Sequence, residues 1–258
     1  MSRDSFQNEE IRGADVEKIE VSRFVTKDFR AAEAIKTLRT NLMFSGDTIH
    51  AVALTSFGPA EGKSTISFQL AASLAQAGKS VLLIDADLRK SVLANRLRVR
   101  GRIDGLSHYL SGMANVSELL YQTDIPGFYV MFAGIRVPNA AEVLGSSRFK
   151  KLISAVKVTF DYTIVDAAPV GQVIDCAVMA PEMDGVLLVV DAAKNSYKME
   201  RRIKNQLEKS GGKVLGVILN RVDFNDKGSC YGKAYGYDYD ETGDNGRLSG
   251  EKAQRSES

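Results

Sequence analysis

The sequence predicts an α/β domain, a mostly parallel sheet with helices on both faces. Three observations predict it. Runs at 50–55, 81–85, 128–132, 162–166, 186–191 and 214–220 are strand-length and largely apolar. Strands buried on both faces read as such continuous runs rather than as alternating ones. Helical stretches lie between most of them, notably at 147–158 and 196–210, and strand–helix alternation is the pattern of parallel sheets. Loop chemistry at 58–62 lies directly between an apolar strand and a helix.

The elements follow in order. Residues 1–28 begin with the polar, acidic MSRDSFQNEE and read as an N-terminal arm without the apolar core of a signal peptide. From 29 to 44, Ala32, Ile35, Leu38, Leu42 and Met43 fall roughly on one helical face. The run 50–55 is a short buried strand. Residues 63–77 form a helix closed by Gly78, a residue suited to a left-handed cap. The run 81–85 is an apolar strand ending in an acid, and 89–126 breaks into short helices and loops. The core domain therefore runs from 29 to 224. Residues 225–258 hold Leu248 alone among large aliphatics, which predicts a mobile tail.

Composition narrows the function. A chain of 258 residues supports one sizeable α/β core with little left for a second. A formal net charge of +2 is too small to imply a nucleic-acid partner. Cys176 and Cys230 are far apart and form neither a disulfide framework nor a zinc spacing, which fits a reducing cytosol. Cys176, in an apolar run, reads as a small core residue. The longest apolar runs fall well short of the ~20 residues needed to cross a bilayer.

The chemistry starts at Thr55-Ser56-Phe57-Gly58-Pro59-Ala60-Glu61-Gly62-Lys63-Ser64-Thr65. Gly62-Lys63-Ser64 matches the end of GxxxxGK[ST], with Phe57 where the pattern has its first Gly. A preceding strand and a following helix supply the context the motif needs. The fold expected is thus that of a P-loop NTPase. Gly58, Pro59, Ala60, Glu61 and Gly62 would wrap the phosphates of ATP, with backbone N–H groups of the loop and helix N-terminus pointing at them. Lys63 would reach the β- and γ-phosphates, and Ser64 would ligate Mg²⁺. The plainer reading is a Gly-rich turn with a surface lysine. It leaves the placement of the acids unexplained.

Asp85 and Asp87 stand at the end of one apolar run and Asp166 at the end of another. Parallel strands deliver such residues to one edge, so all three can converge on the phosphate loop. Asp166 suits Mg²⁺ binding, directly or through water. Asp85 and Asp87 remain for metal organisation and for orienting a nucleophile. Either could instead cap the next helix.

With these motifs in place, the chain resembles the bacterial tyrosine kinases of capsule and exopolysaccharide biosynthesis, from about residue 29 to the tail. The phosphate loop has that family's TSxxPxxGKS form, which accounts for Phe57. Ile84-Asp85-Ala86-Asp87-Leu88-Arg89 matches its additional two-acid motif. Glu33, Lys36 and Arg39 match its ExxRxxR helix, with Lys36 in place of the first Arg. The tail carries Tyr231, Tyr235, Tyr237 and Tyr239, four tyrosines in nine residues. Pro138-Asn139-Ala140-Ala141-Glu142-Val143-Leu144 and Ser147-Arg148-Phe149-Lys150 are also similar to the family. The resemblance implies that Lys63, Ser64 and Thr65 bind phosphates and Mg²⁺. It implies that Asp87 and Asp166 organise the metal and that Asp85 orients or deprotonates the incoming tyrosine. Asn220 resembles the adenine-contacting Asn of related ATPases, with a plain turn Asn as the alternative. Two departures stand out. Ala60 replaces a frequent Gly, and Ala167-Ala168-Pro169 replaces a hydroxyl residue and two prolines.

The resemblance further implies a cytoplasmic kinase that phosphorylates its own tail in trans. It assembles as a ring through Glu33, Lys36 and Arg39, and a separate transmembrane co-polymerase subunit recruits it to the inner face of the membrane. A tyrosine phosphatase and other protein substrates complete the expected partners. The rival is a partition- or septum-site-type ATPase that hydrolyses ATP with water. Its early loop lysine would fall at Gly58, and it has no use for a tyrosine cluster. A non-catalytic nucleotide sensor would lack Lys63 or an acid, and none is missing. Arg89, Lys90, Arg96, Arg98, Arg100 and Arg102 form a positive run, read as a solvated face or as a dock for Asp238, Asp240 and Glu241.

Overall fold

The computed structural model describes residues 18–99, 101–193 and 197–222. Seven strands form one sheet: β1 (Ala51–Ser56), β2 (Val81–Asp85), β3 (Tyr121–Gln122), β4 (Phe128–Met131), β5 (Tyr162–Asp166), β6 (Gly185–Asp191) and β7 (Val214–Asn220). Their order is β3-β4-β2-β5-β1-β6-β7. All neighbours are parallel except the β3–β4 pair.

The helices are α1 (Phe29–Met43), α2 (Lys63–Gln76), α3 (Leu93–Arg96), α4 (Leu106–Leu110), α5 (Ala140–Leu144), α6 (Ser147–Thr159), α7 (Asp175–Met179) and α8 (Tyr197–Lys209). Successive strand side chains point to opposite faces, so the apolar runs feed two cores. Val52, Leu54, Leu83, Leu187 and Val189 pack with Phe68, Leu70 and Leu74 of α2 and Leu42 of α1. Ala53, Leu82, Ile84, Val165 and Leu188 pack with Leu106 of α4, Phe149, Leu152 and Val156 of α6, Met179 of α7 and Leu207 of α8. Cys176 is fully buried in this second core. Asp28 starts α1 by accepting from the Ala31 N–H at 2.8 Å. Gly78, with φ of +82°, sits just past the α2 end as expected.

Two local features depart from the sequence reading. Within 89–126 the two-residue strand β3 pairs antiparallel with β4. It is too short to carry a periodicity. Residues 18–28 of the expected arm are packed. Ile19 bridges to Thr123, Val21 is buried, and Asp124 accepts from the Val21 N–H at 2.7 Å. Gln69 of α2 accepts from the Thr26 N–H and donates to the Phe24 carbonyl. Long-range partners, Asp124, Thr123 and Gln69, seat this segment. The rest of the arm, Arg100 and the tail with Cys230, Tyr231, Tyr235, Tyr237 and Tyr239 lie outside the described residues. Among the described residues no helix is long and apolar enough to cross a membrane.

Candidate active site

β2, β5 and β1 are adjacent, so their C-terminal ends share one edge. The register places Asp85 opposite Asp166, and Asp166 opposite Leu54 of β1. β1 then opens into the loop and α2. At this edge Lys63 Nζ donates to Asp166 Oδ1 at 2.7 Å and lies 3.3 Å from Ser64 Oγ. Ser67, one turn along α2, places its Oγ 3.1 Å from the same carboxylate oxygen. Both members of the Lys63–Asp166 pair are buried.

Asp85 is buried beside it. Its Oδ1 accepts the Asp87 N–H at 3.2 Å, and its Oδ2 accepts the Ser91 hydroxyl at 2.5 Å. Burial pushes this carboxyl up from 3.8 to about 7, and the neighbouring Asp166 charge adds to the rise. The Ser91 hydrogen bond and the Lys63 charge pull the other way. Asp87 faces the next turn, where its Oδ1 accepts the Lys90 N–H at 2.9 Å. Asp87 thus closes the turn after β2, and neither acid caps the next helix, α3, which starts after Val92 without a side-chain cap.

The loop is held by its own backbone chemistry. Gly62 has φ of +97°, and a Cβ there would lie 2.1 Å from Asn220 Nδ2, so only glycine fits. Asn220 Nδ2 donates to the Glu61 carbonyl at 2.8 Å. Asn220 thus braces the loop from the end of β7. Glu61, itself buried, accepts the Phe57 N–H at 3.1 Å. Ala60 has φ of +61°, a conformation that favours glycine. That gives a physical reason for the Gly frequent here in the resembling family. Phe57 lies against Gly171, whose Cβ would meet the Phe57 carbonyl oxygen at 2.4 Å. Pro59 and Thr65 are exposed at the rim of the turn, and Gly58 is half-buried there.

The positive run is not one surface. Arg89 grips Asp175 with two hydrogen bonds, 2.7 Å from Nε and 3.0 Å from Nη2, and reaches the Pro138 carbonyl at 3.2 Å. Arg102 pairs with Asp104 at 3.2 Å, and Arg96 donates to Thr65 Oγ1. Arg89 thereby ties the segment after β2 to the segment preceding α5 and to the first residue of α7. Asp175 is 1% exposed at its side chain, and removing one partner of a buried ion pair strands the other charge. Arg89→Leu is expected to cost about 3 kcal/mol, read from the urea midpoint. A change under about 0.5 kcal/mol would refute this.

On α1, Lys36 pairs with Glu33 at 2.7 Å on the exposed face. Arg39 instead turns inward, donating to Ser73 O at 3.0 Å and lying 3.2 Å from Ser73 Oγ. The three residues expected to act together are therefore divided between an outward pair and an α1–α2 contact.

Residue chemistry at the edge fits a phosphate ester with a divalent cation. The Lys63, Ser64 and Thr65 N–H groups belong to the first turn of α2, where no intrahelical partner exists. Among the described residues, no three His, Cys, Asp or Glu groups converge to hold a metal by themselves. Mg²⁺ commonly takes one or two protein ligands and completes its shell with phosphate oxygens and water. Ser64, Asp87 and Asp166 remain the candidates.

Four residues of this site were absent from the sequence reading in these roles: Ser67, Ser91, Asp175 and Arg96 as a loop contact. Ser67 stands four residues after Lys63, a helical spacing that was legible. Ser91 and Asp175 lie in irregular segments or at their margins, where no periodicity points to them.

Comparison with known proteins bears on family and fold. Residues 51–214 match a family model described as an AAA domain. The chain is 42% identical over 203 residues to the tyrosine-protein kinase CpsD of Streptococcus agalactiae, covering 79% of this chain and 88% of that one. Its fold superposes on the kinase domain of the Escherichia coli tyrosine kinase ETK with a TM-score of 0.73, at 32% identity over 78% of this chain and 81% of that one. A more distant likeness, in fold alone, is to the septum site-determining protein MinD of Pyrococcus horikoshii OT3, with a TM-score of 0.59 and 21% identity over 69% and 72% of the two chains.

Proposed function

The chain belongs to the bacterial tyrosine-kinase family, and from that premise we propose that it transfers the γ-phosphate of ATP to the tyrosines of its own C-terminal tail, in trans between identical subunits. It is a protein-tyrosine kinase of the capsule-biosynthesis type. The observation that supports phosphoryl transfer at this edge is the convergence of the buried Lys63–Asp166 pair and the buried Asp85, whose carboxyl is raised to about 7. Such a group is poised to take a proton near neutral pH.

Phosphoryl transfer is mostly positioning and charge neutralisation. Lys63 moves from Asp166 to the β- and γ-phosphates as nucleotide enters. Asp166, Ser64 and Asp87 are the residues that would hold the cation. When bound, Mg²⁺ neutralises charge between the phosphates. The acceptor tyrosine hydroxyl, with a pKa near ~10, is oriented by Asp85, which collects its proton late. Its oxygen bonds to the γ-phosphorus as the bond to the β-phosphate oxygen breaks, leaving ADP. Asn220 holds the loop and is the proposed adenine contact.

The remaining parts of the proposal concern assembly and control. Tyr231, Tyr235, Tyr237 and Tyr239 are the acceptors. Glu33 and Lys36 are the outward contacts of a ring, with Arg39 anchoring their helix. Each phosphate adds about −1.5 to −2 charges, which loosens the ring as the tails are modified. A transmembrane co-polymerase subunit activates the kinase at the inner face of the membrane, a phosphatase resets it, and the cycle regulates polysaccharide polymerisation and export.

The test mixes Lys63→Met subunits with intact tails and active subunits lacking residues 225–258. Phosphotyrosine on the inactive subunits, located by mass spectrometry, is the expected result. Its absence despite co-assembly would rule out transfer in trans.

A further inference from the structure

Arg96 stands against the phosphate-loop helix with no counter-charge among the described residues, and we propose that it is a nucleotide-binding residue whose guanidinium takes the α-phosphate end of ATP or ADP. This rests on the phosphoryl-transfer reading above and adds a residue to it.

Leu93 and Leu97 flank Arg96 and are buried, and the Arg96 N–H donates to the Val92 carbonyl at 3.0 Å. Its backbone is therefore fixed although its side chain is exposed. That side chain donates from Nη1 to Thr65 Oγ1. Three other cations of this region are committed to carboxylates: Lys63 to Asp166, Arg89 to Asp175 and Arg102 to Asp104. Among the described residues, Arg96 meets only a neutral hydroxyl. An arginine held at an anion-binding turn without a carboxylate is a cation waiting for an anion.

Position selects the phosphate. The first helical N–H of α2 to find its partner is that of Ile66, which donates to the Gly62 carbonyl at 2.9 Å. The N–H groups of Lys63, Ser64 and Thr65 are thus left for the ligand. Lys63 serves the β- and γ-phosphates and Ser64 the cation. Thr65 follows both, at the end of the turn away from the transferred group. A guanidinium on Thr65 Oγ1 is one hydrogen bond from a phosphate oxygen held there. It needs only to swing from the hydroxyl to that oxygen. The contact is to a part shared by substrate and product, so it contributes uniform binding and leaves the chemical step alone.

The experiment titrates Mg-ADP and a non-hydrolysable Mg-ATP analogue into the full chain and into Arg96→Ala, Arg96→Gln and Arg96→Lys, by calorimetry. The alanine and glutamine variants should bind both nucleotides about tenfold more weakly, equally for the two, with lysine in between. The KM for ATP should rise by the same factor with kcat unchanged. Thermal unfolding of each variant separates loss of binding from loss of fold, and glutamine preserves much of the side-chain length if alanine disturbs α3. Affinities within about twofold of the parent would overturn the assignment. So would a loss confined to the ATP analogue, or a fall in kcat at constant KM. If the parent chain binds neither nucleotide, the phosphoryl-transfer reading fails, and this one with it.

Discussion

Lys63→Met is expected to cut phosphotyrosine formation by about a hundredfold to a thousandfold, and to destabilise the nucleotide-free chain at the same time. The first effect follows from the loss of the cation that meets the β- and γ-phosphates where charge shifts during transfer; single preorganised donors of this kind are worth about 10²–10³ in rate. The second follows from the structure. Lys63 is the charged partner of Asp166, at 2.7 Å in a buried setting. Methionine leaves that carboxylate with the Ser67 hydroxyl and with Asp85 for a neighbour. Breaking a buried pair from one side costs about 3–5 kcal/mol. A second change, Asp166→Asn, removes the stranded charge. The double variant should regain most of the stability and none of the activity. Urea unfolding and mass spectrometry of the tail read the two effects separately. Full phosphotyrosine signal from a folded Lys63→Met chain would sink the assignment of this site. Failure of Asp166→Asn to restore any stability would show that the pair is not what holds Asp166.

The sheet was legible because its physics is local. The run Val186-Leu187-Leu188-Val189-Val190 needs no partner to be recognised as a strand, since burial on both faces makes it apolar throughout. The phosphate loop was legible for a different reason. Glycine at Gly62 and lysine at Lys63 answer constraints of backbone and charge that few other residues meet. What was not legible depends on contacts across the chain. β3 is two residues long and exists through its pairing with β4. Val21 is seated by Asp124, 103 residues away. Arg39 matches a helix motif, yet Ser73 of the neighbouring helix takes its guanidinium. Asn220 was read toward adenine, and the structure adds its bond to the Glu61 carbonyl, which no spacing foretells. The positive run illustrates the same limit. Sequence shows like charges in a row, whereas Arg89, Arg96 and Arg102 face three different partners.

Asp85→Asn should keep nucleotide affinity within about threefold and lose transfer by at least about a hundredfold, the range removed with a positioned general base. The pH profile gives a sharper reading. Burial and Asp166 raise the Asp85 carboxyl from 3.8 to about 7, so its ionised fraction grows as pH rises through neutrality. With Asp85 as the base, kcat/KM should climb from about pH 6 to about pH 7 and flatten above the raised value, and the residual rate of Asp85→Asn should lack that limb. The stability effect has the opposite sign. A folded carboxyl with a raised value holds its proton where the unfolded chain has lost it, so the slope of unfolding free energy with pH is negative. The unmodified chain, free of nucleotide, should lose stability relative to Asp85→Asn as pH climbs from about 4 to about 7, and the gap should stay constant above that. Urea midpoints of the two proteins across this range measure it as a difference, in which the other carboxylates cancel. A gap that is flat from about pH 4 to about pH 8 would show that Asp85 ionises as an ordinary surface acid, and the kinetic role built on its burial would fall with it. A gap that grows while the rate limb persists in Asp85→Asn would keep the buried acid and move the base elsewhere. Asp87 would be the next candidate, at the cost of its bond to the Lys90 N–H.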